Sequence, residues 1–168
     1  SIPNAFEAIM KVHLEATIKE AEEIYLKAMK DLQFPMDTEE LLQHHTEACD
    51  KGFECLNERI NSSTLTEAQE KFSQLISKSN SKEVPISGHW FNIKNDNMEK
   101  SRSQCEVVRQ ELIQELEDEL EDGKFQIMEE FNNFSNELKQ RFHAKTIGPA
   151  KEGTFTSIEK DISSLSKE

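Results

Sequence analysis

The chain reads as a series of helical periods interrupted at a few sharp points. Between residues 4 and 30, Phe6, Ile9, Met10, His13, Thr17, Ala21, Ile24, Tyr25 and Ala28 recur at three- and four-residue steps. That spacing is one face of a helix, and Glu15, Lys19, Glu22, Glu23 and Lys27 fall mainly on the other side. Pro3 stands where a helix can start. At ~1.5 Å per residue such a helix is roughly 40 Å long, which predicts an elongated domain. Asp31 to Pro35 breaks the period, because Pro35 cannot continue a helix and Phe34 before it is pushed toward extended geometry.

Asp37 with Glu40 three residues on has the pattern of a capping box and opens a second helix over 37–60. Its face is Leu41, Leu42, His45, Ala48, Cys49, Phe53, Leu56 and Ile60, and Asn61-Ser-Ser-Thr64 ends it. A shorter helix over 65–78 turns Leu65, Ala68, Phe72, Leu75 and Ile76 inward. Residues 79–96 lose the period and hold Pro85, Gly88 and three Asn, so they read as an irregular loop. An apolar plug of Val84, Ile86, Trp90, Phe91 and Ile93 would pin that loop to the bundle, with Trp90 and Phe91 its candidate anchors. The period returns over 97–122 with Met98, Cys105, Val108, Leu112, Leu116 and Leu120, and Gly123 suits the left-handed position past a helix end. Ile127, Phe131, Phe134, Leu138 and Phe142 carry a helix over 124–144. After a linker at 147–153, Thr156 and Glu159 repeat the capping box and open a last helix over 156–168. The pattern predicts an all-α fold: a single domain over 1–168, an elongated antiparallel bundle of five to six helices with no β-sheet.

Composition narrows the function classes. Thirty-three acidic residues against 20 Lys and Arg give a net charge of −13, which argues against nucleic acid and against attraction to anionic lipid. Five Gly and four Pro are too few for a β-sandwich or a doubly wound sheet. No stretch approaches the ~20 apolar residues of a membrane span, so direct membrane insertion is not expected. The odd cysteine count (Cys49, Cys55, Cys105) suggests reduced thiols and a cytoplasmic location. The sequence does not begin with Met, and its last helical period is still running where it stops, so a fragment of a longer protein is expected.

Chemistry-bearing patterns are sparse. His45 and Cys49 share a face at a spacing a zinc pair can use, with His44 and Cys55 nearby, but two further ligands would be needed. No metal site, catalytic constellation or cofactor site is therefore expected. No glycine is followed by Lys-Ser or Lys-Thr, so the chain holds no phosphate loop. No Glu is followed three residues later by His, the pairing a di-metal bundle needs. The densest charge is Glu115-Leu-Glu-Asp-Glu-Leu-Glu-Asp122. As a docking patch for a basic surface it offers Glu115, Glu117, Asp118, Glu119, Glu121 and Asp122; as a solvated helix face it offers nothing specific. Acids near a helix C-terminus oppose the macrodipole, which mildly favours docking.

Several stretches together resemble a known family. They are Ile2-Pro3 and the helix with Ala21-Glu-Glu-Ile-Tyr25-Leu-Lys-Ala-Met29, then Phe34-Pro-Met-Asp-Thr-Glu-Glu-Leu-Leu-Gln-His-His45. Ser103-Gln-Cys105 with the acidic helix and Phe131 to Phe142 follow, then Lys151-Glu-Gly153 and the helix from Thr156. In order and break positions these resemble the helical domain of the guanylate-binding proteins, large GTPases of the dynamin superfamily. Residues 79–96 depart from that pattern, being longer and richer in Pro, Gly and Trp. The resemblance implies a non-catalytic stalk that docks on a separate GTPase domain of the same protein or of its dimer mate, with self-association as a further contact. It implies GTP and Mg in that absent domain, association of the parent with membranes, and a part in innate defence against intracellular pathogens. The N-terminal end of the first helix joins the acidic run as a candidate contact. The competing reading is an independent cytosolic adaptor that captures a partner helix in a groove.

Overall fold

The computed structural model describes residues 4–167. Pro3 as a helix start lies outside the described residues, as does Glu168 at the end of the expected last helix. Among the described residues six α-helices follow one another: α1 Ala5–Met29, α2 Thr38–Arg59, α3 Ser62–Ile76, α4 His89–Glu121, α5 Met128–Lys145 and α6 Lys151–Leu165. Between α3 and α4 a five-residue antiparallel pair, β1 Lys78–Ser79 and β2 Pro85–Ser87, forms a small exposed hairpin. The fold is all-α. No described helix is long and apolar enough to cross a membrane.

The chain divides into two compact units, residues 1–33 with 39–95 and residues 34–38 with 96–168. In the first, α1 packs on α3. Asn4 caps α1 by accepting from the Glu7 amide at 2.8 Å. The buried face of α1 is Leu14, Thr17, Ile18, Ala21, Tyr25 and Met29. This is rotated from the expected stripe. Phe6 and Ile9 are exposed, because no residue of α1 before Leu14 is buried. On α2, Gly52 is buried because the Phe72 ring rests on it; an added Cβ would lie 2.3 Å from Phe72 Cζ. Leu42 and Leu75, both expected inside, are exposed.

The hairpin and its exit correct the expected loop at 79–96. Gly88 takes φ +107° and lies so close to Ile76 that a Cβ would meet its carbonyl oxygen at 2.5 Å. That turn starts α4 at His89, eight residues before the expected start at 97. Trp90 and Phe91 are therefore in its first turn rather than in a loop. Asn61, expected only to end α2, caps α3 by accepting from the Ser63 amide, so α3 starts three residues earlier than expected. α5 begins at Met128 rather than 124. α6 begins at Lys151 rather than 156. Gly148 takes φ +101° and turns the chain into it, while Thr156 sits inside the helix and donates to the Glu152 carbonyl instead of capping.

In the second unit the core is Cys105, Val108, Leu112, Leu116, Phe131, Leu138, Phe142, Ala150, Ile158 and Ile162, and α5 packs on α6. Gly123 (φ +69°) ends α4 as expected, with Gly123 N–H bonded to the Leu120 carbonyl and Lys124 N–H to that of Glu119, the Schellman pattern. Buried side chains of α4 hold two backbone segments. Asn97 Oδ1 accepts from Met36 N–H at 2.8 Å, and its amide nitrogen donates to the Met36 carbonyl at 3.0 Å. Ser101 Oγ donates to the Ile147 carbonyl at 2.7 Å and accepts from Ala150 N–H at 3.1 Å. Asp37, expected as the cap of α2, accepts from Gly148 N–H at 3.2 Å.

Candidate functional site

The acidic run lies on the last two turns of α4, with Asp122 one residue past its end; Leu116 is buried and Leu120 half-buried. The helical period thus places the acids around the outer arc, and their neighbours sort them. Arg141 of α5 grips Glu115 with two hydrogen bonds, 3.2 and 2.8 Å. That contact raises the already high Arg141 pKa, so the Glu115 charge is met by a partner within the fold. Glu119 pairs with Lys124 at 3.0 Å, and Asp118 accepts from Gln114 at 2.9 Å. Glu117, Glu121 and Asp122 are exposed and have no ion pair among the described residues. The six expected docking acids thus divide into two that are ion-paired, one hydrogen-bonded to a neutral amide, and three outside any ion pair, of which Asp122 lies within the field of Lys124.

Beside this arc runs an open groove of about 490 Å³ between α4 and α6, lined by Arg109, Ile113, Gln114, Glu117, Asp161 and Leu165 among others. Arg109 spans it, with two hydrogen bonds to Asp161 (2.8 and 3.1 Å) and contacts to Glu106 on its own helix. The guanidinium pKa is raised, first by the hydrogen bonds to Asp161. This bidentate link between α4 and α6 left no sequence signal, because Arg109 and Asp161 are 52 residues apart. A smaller hollow of about 220 Å³ follows near Leu120, Phe125, Ile127, Met128 and Leu165, with Ile127 and Met128 largely exposed.

Within the first unit the structure brings His45 and Cys49 together, with Nε2 to Sγ 3.6 Å. Burial pushes the Cys49 thiol up to about 11, reinforced by Asp50, so at neutral pH it is a protonated thiol and not a thiolate. Cys55 and Cys105 are buried and free, and burial raises their thiols too. Among the described residues no group of three or more His, Cys, Asp or Glu could hold a metal ion. Trp90 is no simple loop plug: its ring stacks on His45 with centroids 4.0 Å apart. Phe91 is half-buried beside it.

The family described as guanylate-binding protein, C-terminal domain, matches residues 1–151. The chain belongs to that family. As a guanylate-binding protein C-terminal domain, it matches through α1 to α5 and the first residue of α6. No curated protein matches it. The hairpin at 78–87 and the Trp90–His45 stack both lie within the matched part of this guanylate-binding protein domain.

Proposed function

We propose that this chain is the non-catalytic helical stalk of a guanylate-binding-type large GTPase, docking through Glu117, Glu121 and Asp122 on the GTPase domain of the same protein or of its dimer mate. The family match over 1–151 carries the reading. The three carboxylates outside any ion pair support the choice of surface, since exposed negative charge in a chain of net charge −13 can steer a basic partner. GTP and Mg belong to the separate GTPase domain. The helices receive its nucleotide-driven movement and pass it to self-association and to assembly at membranes, as part of a cytoplasmic defence function.

The test has two stages. The reading frame upstream of the codon for Ser1 should encode a strand followed by GxxxxGK[ST] within roughly 300 residues. A frame without one overturns the stalk reading. The adaptor reading then leads, with the hollow beside Ile127 and Met128 as its docking place. Given the GTPase domain, its binding to this chain should weaken as salt rises. The combined change Glu117→Lys, Glu121→Lys and Asp122→Lys should weaken it at least ~10-fold, mainly through the association rate. Unchanged affinity in that variant overturns the acidic patch as the docking surface.

A further inference from the structure

The docking surface makes no use of the cluster around His45, which joins three helices of the first unit. The His45 ring of α2 stacks on Trp90 of α4 at an interplanar angle of 15°. Its Nδ1 lies 2.9 Å from the Tyr25 hydroxyl of α1. Burial, reinforced by Cys49, pushes the Tyr25 phenol up, so it keeps its proton. A neutral ring donates from one nitrogen and accepts at the other, and the Tyr25 hydroxyl can serve either role at Nδ1; the Cys49 sulfur lies 3.6 Å from Nε2. Lys94 of α4 holds its ammonium 5.3 Å from the centre of the Trp90 ring.

This arrangement suits a neutral ring and opposes a charged one. A charged ring would donate from both nitrogens, so the Tyr25 hydroxyl could only accept and would have to send its own hydrogen elsewhere, while the other nitrogen would face only a protonated thiol. The resulting imidazolium would share Trp90 with the Lys94 ammonium. The titratable groups around it are Tyr25 and Glu22 on α1, Cys49 on α2, and His89 and Lys94 on α4. Glu22, the one carboxylate among these, is held by His89 at 2.8 Å. Burial first, then Lys94, keep His45 below the ordinary histidine range, in keeping with the geometry.

We propose that His45 is an acid-released latch, holding the first turns of α4 against α1 and α2 while its ring is neutral and loosening them when it takes a proton. Binding of a proton must be stronger in the opened seam than in the closed one, so acid shifts the population toward the open form. His89, paired with Glu22 on the same seam, makes no contact with the His45 ring nitrogens and serves as the control. The two histidines can therefore be told apart.

The test follows the His45 ring by NMR from pH 7.5 to 5.0, together with amide exchange at residues 89–95 and the emission of Trp90, the sole tryptophan. With exchange corrected for its intrinsic pH dependence, protection at 89–95 should fall several-fold as His45 titrates, and Trp90 emission should change over the same range. His45→Asn keeps an acceptor near the Nδ1 position without titrating, and should abolish the pH dependence; His89→Gln should leave it. If His45→Asn opens the seam at every pH, the wild-type midpoint decides. A His45 midpoint at or above ~6.5 overturns the latch. So does pH-independent protection, or a transition that survives His45→Asn and vanishes in His89→Gln.

Discussion

The two units tie α4 to their other elements by different chemistry. In the first, α4 is held by side chains meeting side chains: Trp90 on His45, and His89 on Glu22. In the second, ion pairs tie its outer face (Arg109 to Asp161, Glu115 to Arg141), but its buried fastening is side chains meeting backbone: Asn97 on Met36, and Ser101 on Ile147 and Ala150. The first set includes the His45 imidazole, whose charge depends on pH; the buried contacts of the second include no titratable group. A hydrogen bond from an amide or hydroxyl to buried backbone has nothing to titrate, and its loss strands a buried partner. A stacked imidazole is adjustable, and its strength depends on its proton. One helix thus carries a fixed fastening and a conditional one.

Breaking the fixed fastening should have the largest effect. Asn97→Ala leaves both the N–H and the carbonyl of buried Met36 without their partner. It should cost about 2–4 kcal/mol in chemical denaturation, equally at pH 7.5 and 5.5. A loss that depended on pH would erase the contrast. Gly52→Ala comes next. The new methyl would press on the tip of the fully buried Phe72 ring, an overpacking cost of about 1–3 kcal/mol against a helix-propensity gain of about 1. Net destabilisation of about 1 kcal/mol is expected, and a stabilised variant would show that the ring can move.

The conditional fastening is tested by pH. His45 titrates lower folded than unfolded. Its contribution is therefore complete above the unfolded value near 6.5 and is lost as pH falls from there through the folded value. Stability of the wild type measured from pH 7.5 to 5.0 should fall more than that of His45→Asn, with a slope of at most ~1.4 kcal/mol per pH unit from this one group. Parallel curves would remove His45 from the account. The smallest effects belong to the acidic arc. Glu117→Lys should change stability by no more than about 0.5 kcal/mol. Glu115→Gln, which loosens Arg141, should cost up to ~1 kcal/mol, since the pair is only half-buried. Equal effects would undo the division between acids inside and outside an ion pair.

The helices were legible because leucines and phenylalanines recur at helical steps, and Gly123 marked its helix end correctly. What misled was local punctuation read without its tertiary setting. Pro85 and Gly88 read as loop, yet Gly88 is the pivot from the hairpin into α4, and only the nearness of Ile76 explains it. Thr156 and Glu159 have the spacing of a cap, but Gly148 had already turned the chain into a helix. The first stripe was misplaced because α1 carries apolar residues around much of its circumference, and the choice among them falls to α3. Of the candidate site, the acidic run was visible as composition. Its division was not, because Arg141 is 26 residues from Glu115. His45 was read as core because its partners Tyr25 and Trp90 lie 20 and 45 residues away in sequence.

The hairpin between α3 and α4 has exposed strands, a bulged register and a tip closed by Asn80, whose side chain accepts from Lys82 and Val84 while Glu83 sits at φ +60°. None of its residues from Lys78 to Ser87 is buried. Its length is therefore nearly free of the core: residues added at the tip raise loop-closure entropy by a fraction of a kcal/mol and displace no packed side chain. Among descendants of this sequence, the hairpin tip is where length can drift while the helices on either side keep their register.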